Sequence, residues 1–233
     1  MQKLTAGIKT LHNFFSDHYF YPIALSTFLF FLFFLGRVYW SQELIYQNLV
    51  WNLFLAWLPY LFSLSVAVIH QFRPSWWWAL IVPAVLWVVF LPNALYLVTD
   101  LNHLRNKATI PVWYDAGFLS IAAWTGLFLA VGSLNTMQKI VQSFAGKMAG
   151  WIFALMIIGS SGYGVYIGRF LRWNSWDILH DPLLIISNSL TPITNPLQSK
   201  DMIVFIIMYT SLYLVTYLAF SWLRPFDIPV NAE

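Results

Sequence analysis

Asp100 and His103 stand three residues apart, and Asp177 and His180 repeat the same spacing further along. On a helical turn such a pair shares one face. Each would present a carboxylate beside an imidazole, a combination suited to acid–base work or to holding a divalent ion such as zinc or manganese. Asp115 and Asp181 lie close by in sequence. Arg169 and Arg172 are also three apart, and their planar forks match a phosphate or carboxylate in two-point contact better than lysine does. Asn174 follows at once, so YIGRFLRWNSWDILHD concentrates ionisable groups in a chain that is only 9% charged. A plainer account also fits these residues. Thr99 or Asp100 caps a turn, Asn174 with Asp177 forms a capping box, and the two arginines snorkel toward water while pairing with Asp177.

The elements that carry these groups are set by composition. The 233 residues are 60% hydrophobic and 19% aromatic, well outside the range of soluble domains. A hydrocarbon core needs about 20 apolar residues per helix. Six runs meet that need, approximately 22–40, 48–69, 76–98, 112–134, 149–168 and 202–223. Trp and Tyr gather at their ends, as in Tyr39-Trp40, Trp76-Trp77-Trp78 and Trp113-Tyr114, where amphipathic rings suit the headgroup layer. The expected fold is therefore all-α: residues 1–233 as one integral membrane bundle of six transmembrane helices. The first run ends in Leu35-Gly36-Arg37 without a small-residue cleavage pattern, so it is expected to be retained as a helix.

Six spans place both termini on one side, with the first, third and fifth loops on the other. Six of the nine acidic residues and both Asp-x-x-His motifs then fall on the non-terminal face. Lys and Arg divide equally between the faces, so a count under the positive-inside rule does not orient the chain. The short basic loops on the terminal side favour cytoplasmic termini and a multi-pass protein of the inner (plasma) membrane. The longest connection, between spans five and six, starts a short apolar segment at Asp181-Pro182, expected to be an interfacial or re-entrant helix.

Inside the spans, Ser160, Gly164 and Gly168 form a small-residue stripe at intervals of four, which lets helix backbones approach. Tyr209, Tyr213 and Tyr217 make an aromatic face by the same spacing, and Pro83 and Pro92 are expected to kink the third span. The chain has no cysteine, hence no disulfide and no thiolate chemistry. It has no Gly-x-Ser-x-Gly elbow, no phosphate-binding glycine loop and no basic cluster of the kind that binds nucleic acid.

Two segments carry a family likeness. FLPNALYLVTDLNHL with WYD, then GVYIGRFLRWNSWD, resembles the bacterial membrane-protein family called domain of unknown function 1361. Leu91, Pro92, Asn93, Tyr96, Thr99 and Asp100 fit its first motif. Gly168, Arg169, Phe170, Arg172, Trp173, Asn174, Ser175, Trp176 and Asp177 fit its second, with Leu95 where the family commonly has proline. The resemblance implies a polytopic bacterial membrane protein and brings no activity with it. A Phe15-Ser16-Asp17 triplet is similar to the signature of a six-span potassium-channel family, but the arginine that precedes it there is absent between Leu11 and Phe14.

The leading functional expectation is an Arg/Asp/His site on the non-terminal face for an anionic lipid or polyprenyl phosphate headgroup. Arg169, Arg172 and Asn174 would hold the anion, and Asp100, His103, Asp177 and His180 would supply acid–base groups or divalent-metal ligands. Asn93, Tyr96, Thr99 and Asp115 would support them. The bilayer is the partner in every case. A structural or assembly role against another membrane protein is the second expectation. A transporter or channel is the third, disfavoured because the mid-span positions carry almost no ionisable residues.

Overall fold

The computed structural model describes residues 2–104, 110–171 and 199–222. Among these there is no strand. The chain runs through α1 (Gln2–Asp17), α2 (Phe20–Ser41), α3 (Gln47–Phe72), a 3-10 turn (Pro74–Leu80), α4 (Ile81–Thr99), a second 3-10 turn (Asp100–His103), α5 (Val112–Tyr166), a π turn (Ile167–Leu171) and α6 (Lys200–Trp222). Among the described residues, five stretches are long and apolar enough to cross a bilayer: α2, α3, Ser75–His103, Val112–Leu171 and α6. Their outward faces are apolar too, with Leu25, Phe28, Leu61, Val82, Val85, Ile152, Met156, Val204 and Ile207 all exposed. A continuous apolar surface of that kind is stable only when hydrocarbon covers it. The protein is membrane-embedded and in contact with lipid.

α5 is longer than any single expected span, and its geometry explains why. Gly146 breaks the helix at φ 83°, ψ 169°, a backbone region that essentially only glycine enters. The chain doubles back there. Gly126, before the break, lies against Ala94 and Leu97 of α4, while Gly164, after it, lies against Pro92 of the same helix. A continuous helix would hold positions 126 and 164 about 57 Å apart at 1.5 Å per residue. α6 touches both limbs, since the Tyr213 hydroxyl donates to the Ala130 carbonyl at 3.0 Å and Tyr217 bonds Gln138 while its ring meets Trp151.

The Tyr209, Tyr213 and Tyr217 face is buried as expected, at 8%, 0% and 1% exposure. The glycine stripe is corrected. Gly164 makes a close helix contact, but Ser160 is exposed, and the approach to α6 is made by Gly162, where an added Cβ would stand 2.8 Å from the Ile206 carbonyl oxygen. The third span is corrected as well. Residues 74–80 wind as a 3-10 turn, with Trp76 non-helical and Trp76, Trp77 and Trp78 exposed. α4 therefore begins at Ile81, and Pro83 sits in its first turn, where no helical hydrogen bond is lost. Pro92 alone lies inside the helix.

α1 is not among the elements expected from sequence. Its 16 residues are too few to span, and Ile8, Leu11 and Phe15 repeat on one side with Lys9, His12 and Asn13 between them. That pattern suits a helix lying in the interface. Tyr19, at φ 62°, turns the chain from α1 into α2.

Candidate functional site

The site grows from the last turn of α4. Burial of Leu91, Leu95 and Val98 fixes that helix in the bundle, and the following 3-10 turn then presents Asp100 and His103 together. Side chains three apart nearly eclipse in a 3-10 turn. Asp100 Oδ1 accordingly lies 3.6 Å from His103 Nε2, the carboxylate almost fully buried and the imidazole 42% exposed. The amide of Asn52, from the first turns of α3, donates to Asp100 Oδ2 at 2.9 Å.

Arg169 reaches the same carboxylate from the other limb of the α5 hairpin, with Nη1 3.5 Å from Asp100 Oδ1. The π turn makes this possible. In a continuous α-helix the residue four after Gly164, namely Gly168, would face α4. Closing the turn from i to i+5 advances the register by one residue and brings Arg169 to that face instead. Arg169 Nη1 also donates to His103 Nε2 at 3.1 Å and to the Tyr96 hydroxyl at 3.4 Å, with the guanidinium carbon 5.8 Å from the centre of the Tyr96 ring. A guanidinium can only donate, so the Arg169–His103 contact is a hydrogen bond in the tautomer whose Nε2 accepts.

Asp115 belongs to a second, adjoining cluster. In the first turn of α5 it receives Arg37 through Nε at 2.7 Å and Nη2 at 3.2 Å, both side chains essentially buried at 1% and 2% exposure. The Arg37 guanidinium lies 4.5 Å over the Tyr46 ring. The Tyr46 hydroxyl stands between two acceptors, Asp115 Oδ2 at 3.1 Å and the His103 carbonyl at 3.3 Å. The buried ion pair is thereby tied to the backbone of the turn that aims His103.

Of the residues expected from sequence, Asp100, His103, Tyr96 and Arg169 come together, and Asp115 stands next to them in the Arg37 pair. Thr99 is buried and donates back to the Tyr96 carbonyl, and Asn93 donates to the Phe90 carbonyl. Arg172, Asn174, Asp177 and His180, with the expected interfacial or re-entrant helix, lie outside the described residues. Among the described residues no three His, Asp or Glu side chains gather as a metal site. Sequence reading missed Arg37, Tyr46 and Asn52. The signals available were an arginine closing an apolar run and two amides, Asn48 and Asn52, four apart at the start of an apolar helix. A cavity of about 460 Å³ opens beside Asp100 and His103, floored by Tyr46 and Leu49.

Apolar helices with a buried polar cluster where their ends converge define a polytopic membrane protein with a candidate site at one end of the bundle. The chain belongs to the family described as protein of unknown function (DUF1361), which matches residues 51–216. That range holds Asn52, Tyr96, Asp100, His103, Asp115 and Arg169. No curated protein and no solved structure matches the chain.

Proposed function

We propose that the Arg169 cluster binds the anionic headgroup of a membrane lipid or polyprenyl phosphate. One observation carries this reading. Every hydrogen bond and ion pair that the Arg169 guanidinium makes among the described residues runs through Nη1, which leaves the Nε–Nη2 edge for a ligand. Arg37 shows what that edge does when the protein fills it, since its Nε and Nη2 are both taken by Asp115. Arg169 is 17% exposed, reachable from the headgroup layer yet shielded enough for a charge-assisted pair to be strong.

In this reading the protein has six spans, the two limbs of α5 counting separately, and sits in the inner membrane of a bacterial cell with cytoplasmic termini. The doubling back at Gly146 supports the count, and the short basic loops support the orientation. Arg172 and Asn174 add a second fork and an amide to the anion site. His103 and Asp100 form the acid–base pair beside the bound group, joined by Asp177 and His180.

The test is titration of the purified protein, in an uncharged detergent, with dioctanoyl phosphatidylmethanol (a monoanionic phosphodiester) and with zwitterionic dioctanoyl phosphatidylcholine. Hydrogen bonds to a charged group are worth about 1.5–3 kcal/mol. The wild type should therefore prefer the anion by roughly ten-fold or more, and the Arg169→Gln, Asp100→Asn double variant, which leaves no buried charge unpaired, should lose that preference. Equal preference in both proteins would refute the assignment.

A further inference from the structure

The cavity beside Arg169 has a lining that an anion alone does not explain. Asn48, Trp51, Asn52, Tyr96, Asp100 and His103, together with Ile45, Tyr46 and Leu49, line about 460 Å³, inside the ~300–1,000 Å³ range of small-molecule sites. Each asparagine offers a donor and an acceptor, tyrosine offers both, and the carboxylate accepts. The charges balance locally, because Asp100 is met by Arg169. A second phosphate placed here would face the Asp100 carboxylate, and a cation would find that carboxylate already paired. An acyl chain would strip water from amides and hydroxyls without replacing their hydrogen bonds. Alternating hydroxyl groups satisfy donors and acceptors together. Trp51 adds a flat apolar face at the mouth, where it is 56% exposed, suited to the C–H face of a ring whose hydroxyls point at Asn48 and Asn52.

We infer that this cavity is a subsite for a polyhydroxylated group, a sugar or polyol, bonded to the phosphate that Arg169 holds. The inference rests on the anion-binding reading above and narrows its ligand to a glycosyl- or polyol-phosphate amphiphile. Asn48 and Trp51 set the preference for the hydroxylated part, and Arg169 holds the charge.

The test uses three short-chain lipids of equal charge: dioctanoyl phosphatidylinositol, phosphatidylglycerol and phosphatidylmethanol, titrated calorimetrically in a sugar-free polyoxyethylene detergent. The expected result is ten-fold or greater tightening for at least one hydroxylated lipid over phosphatidylmethanol. The Asn48→Ala, Trp51→Ala variant, altered only at exposed positions, should bring that ratio within two-fold of unity while phosphatidylmethanol affinity stays unchanged. If all three lipids bind the wild type equally, the subsite is refuted and the anion site stands. A ratio that survives in the variant places the hydroxyls elsewhere and refutes it too. If no lipid binds, the anion reading fails and the subsite falls with it.

Discussion

Arg37 and Arg169 are the same side chain in two electrostatic situations. Arg37 is 1% exposed, its bidentate edge is closed by Asp115, and it holds α2 to α5. A buried charge that loses its partner destabilises by about 3–5 kcal/mol, whereas replacing both partners with apolar side chains is often neutral. Arg37→Leu should accordingly lower unfolding stability in mixed micelles by that amount, and Arg37→Leu with Asp115→Leu should recover most of it. A double variant as unstable as the sum of the singles would mean that the pair is not coupled. The partnership is hard to see in sequence, because the two residues are 78 positions apart and nothing local marks them as a pair. Asp100 with His103 was legible because a single turn places them together. Arg169 was legible as an arginine in a motif, but its aim depends on a π turn for which the sequence carries no period.

At the scale of elements the glycines decide the packing. An added Cβ at Gly126 would stand 2.2 Å from the Ala94 carbonyl oxygen, so α4 and α5 approach through this glycine as they do through Gly164 on the other limb; at Gly117 an added Cβ meets nothing within 4 Å. Gly126→Ala should destabilise by about 1–3 kcal/mol through overpacking, and Gly117→Ala should stay within about 0.5 kcal/mol of wild type. Gly146→Ala should also destabilise, by about 1–3 kcal/mol, because of its backbone region rather than its surroundings. Chemical unfolding midpoints compare all three. A reversal between the runs 112–134 and 149–168 was expected from sequence, but its place at Gly146 was not, since SFAGKMAGW contains no proline and none of its glycines marks which one reverses the chain. Composition and run length were enough to find the apolar segments of α2, α3, α4, both limbs of α5 and α6. α1 escaped because an amphipathic helix has the periodicity of a span's edge but not its length.

For the whole molecule, the convergence of Arg37, Asp100, Asp115 and Arg169 requires α2, α4 and the second limb of α5 to end where α3 and the first limb of α5 begin. The Gly146 reversal then lies at the opposite end, where Ser143 bonds His70 at 3.0 Å. The chain has no cysteine, so single cysteines report topology without background. Cysteines at Glu43 and at Lys147 should be labelled by an impermeant maleimide from opposite sides of the membrane. Labelling of both from one side would contradict the six-span arrangement. The claim on which the functional reading turns is that Arg169 holds a phosphate-bearing lipid, and native mass spectrometry of protein released from its own membrane tests it most directly. The account predicts a lipid phosphate adduct on the wild type that is absent from the folded Arg169→Gln, Asp100→Asn variant. An adduct of equal abundance on both proteins, or a folded wild type that carries none, would contradict it.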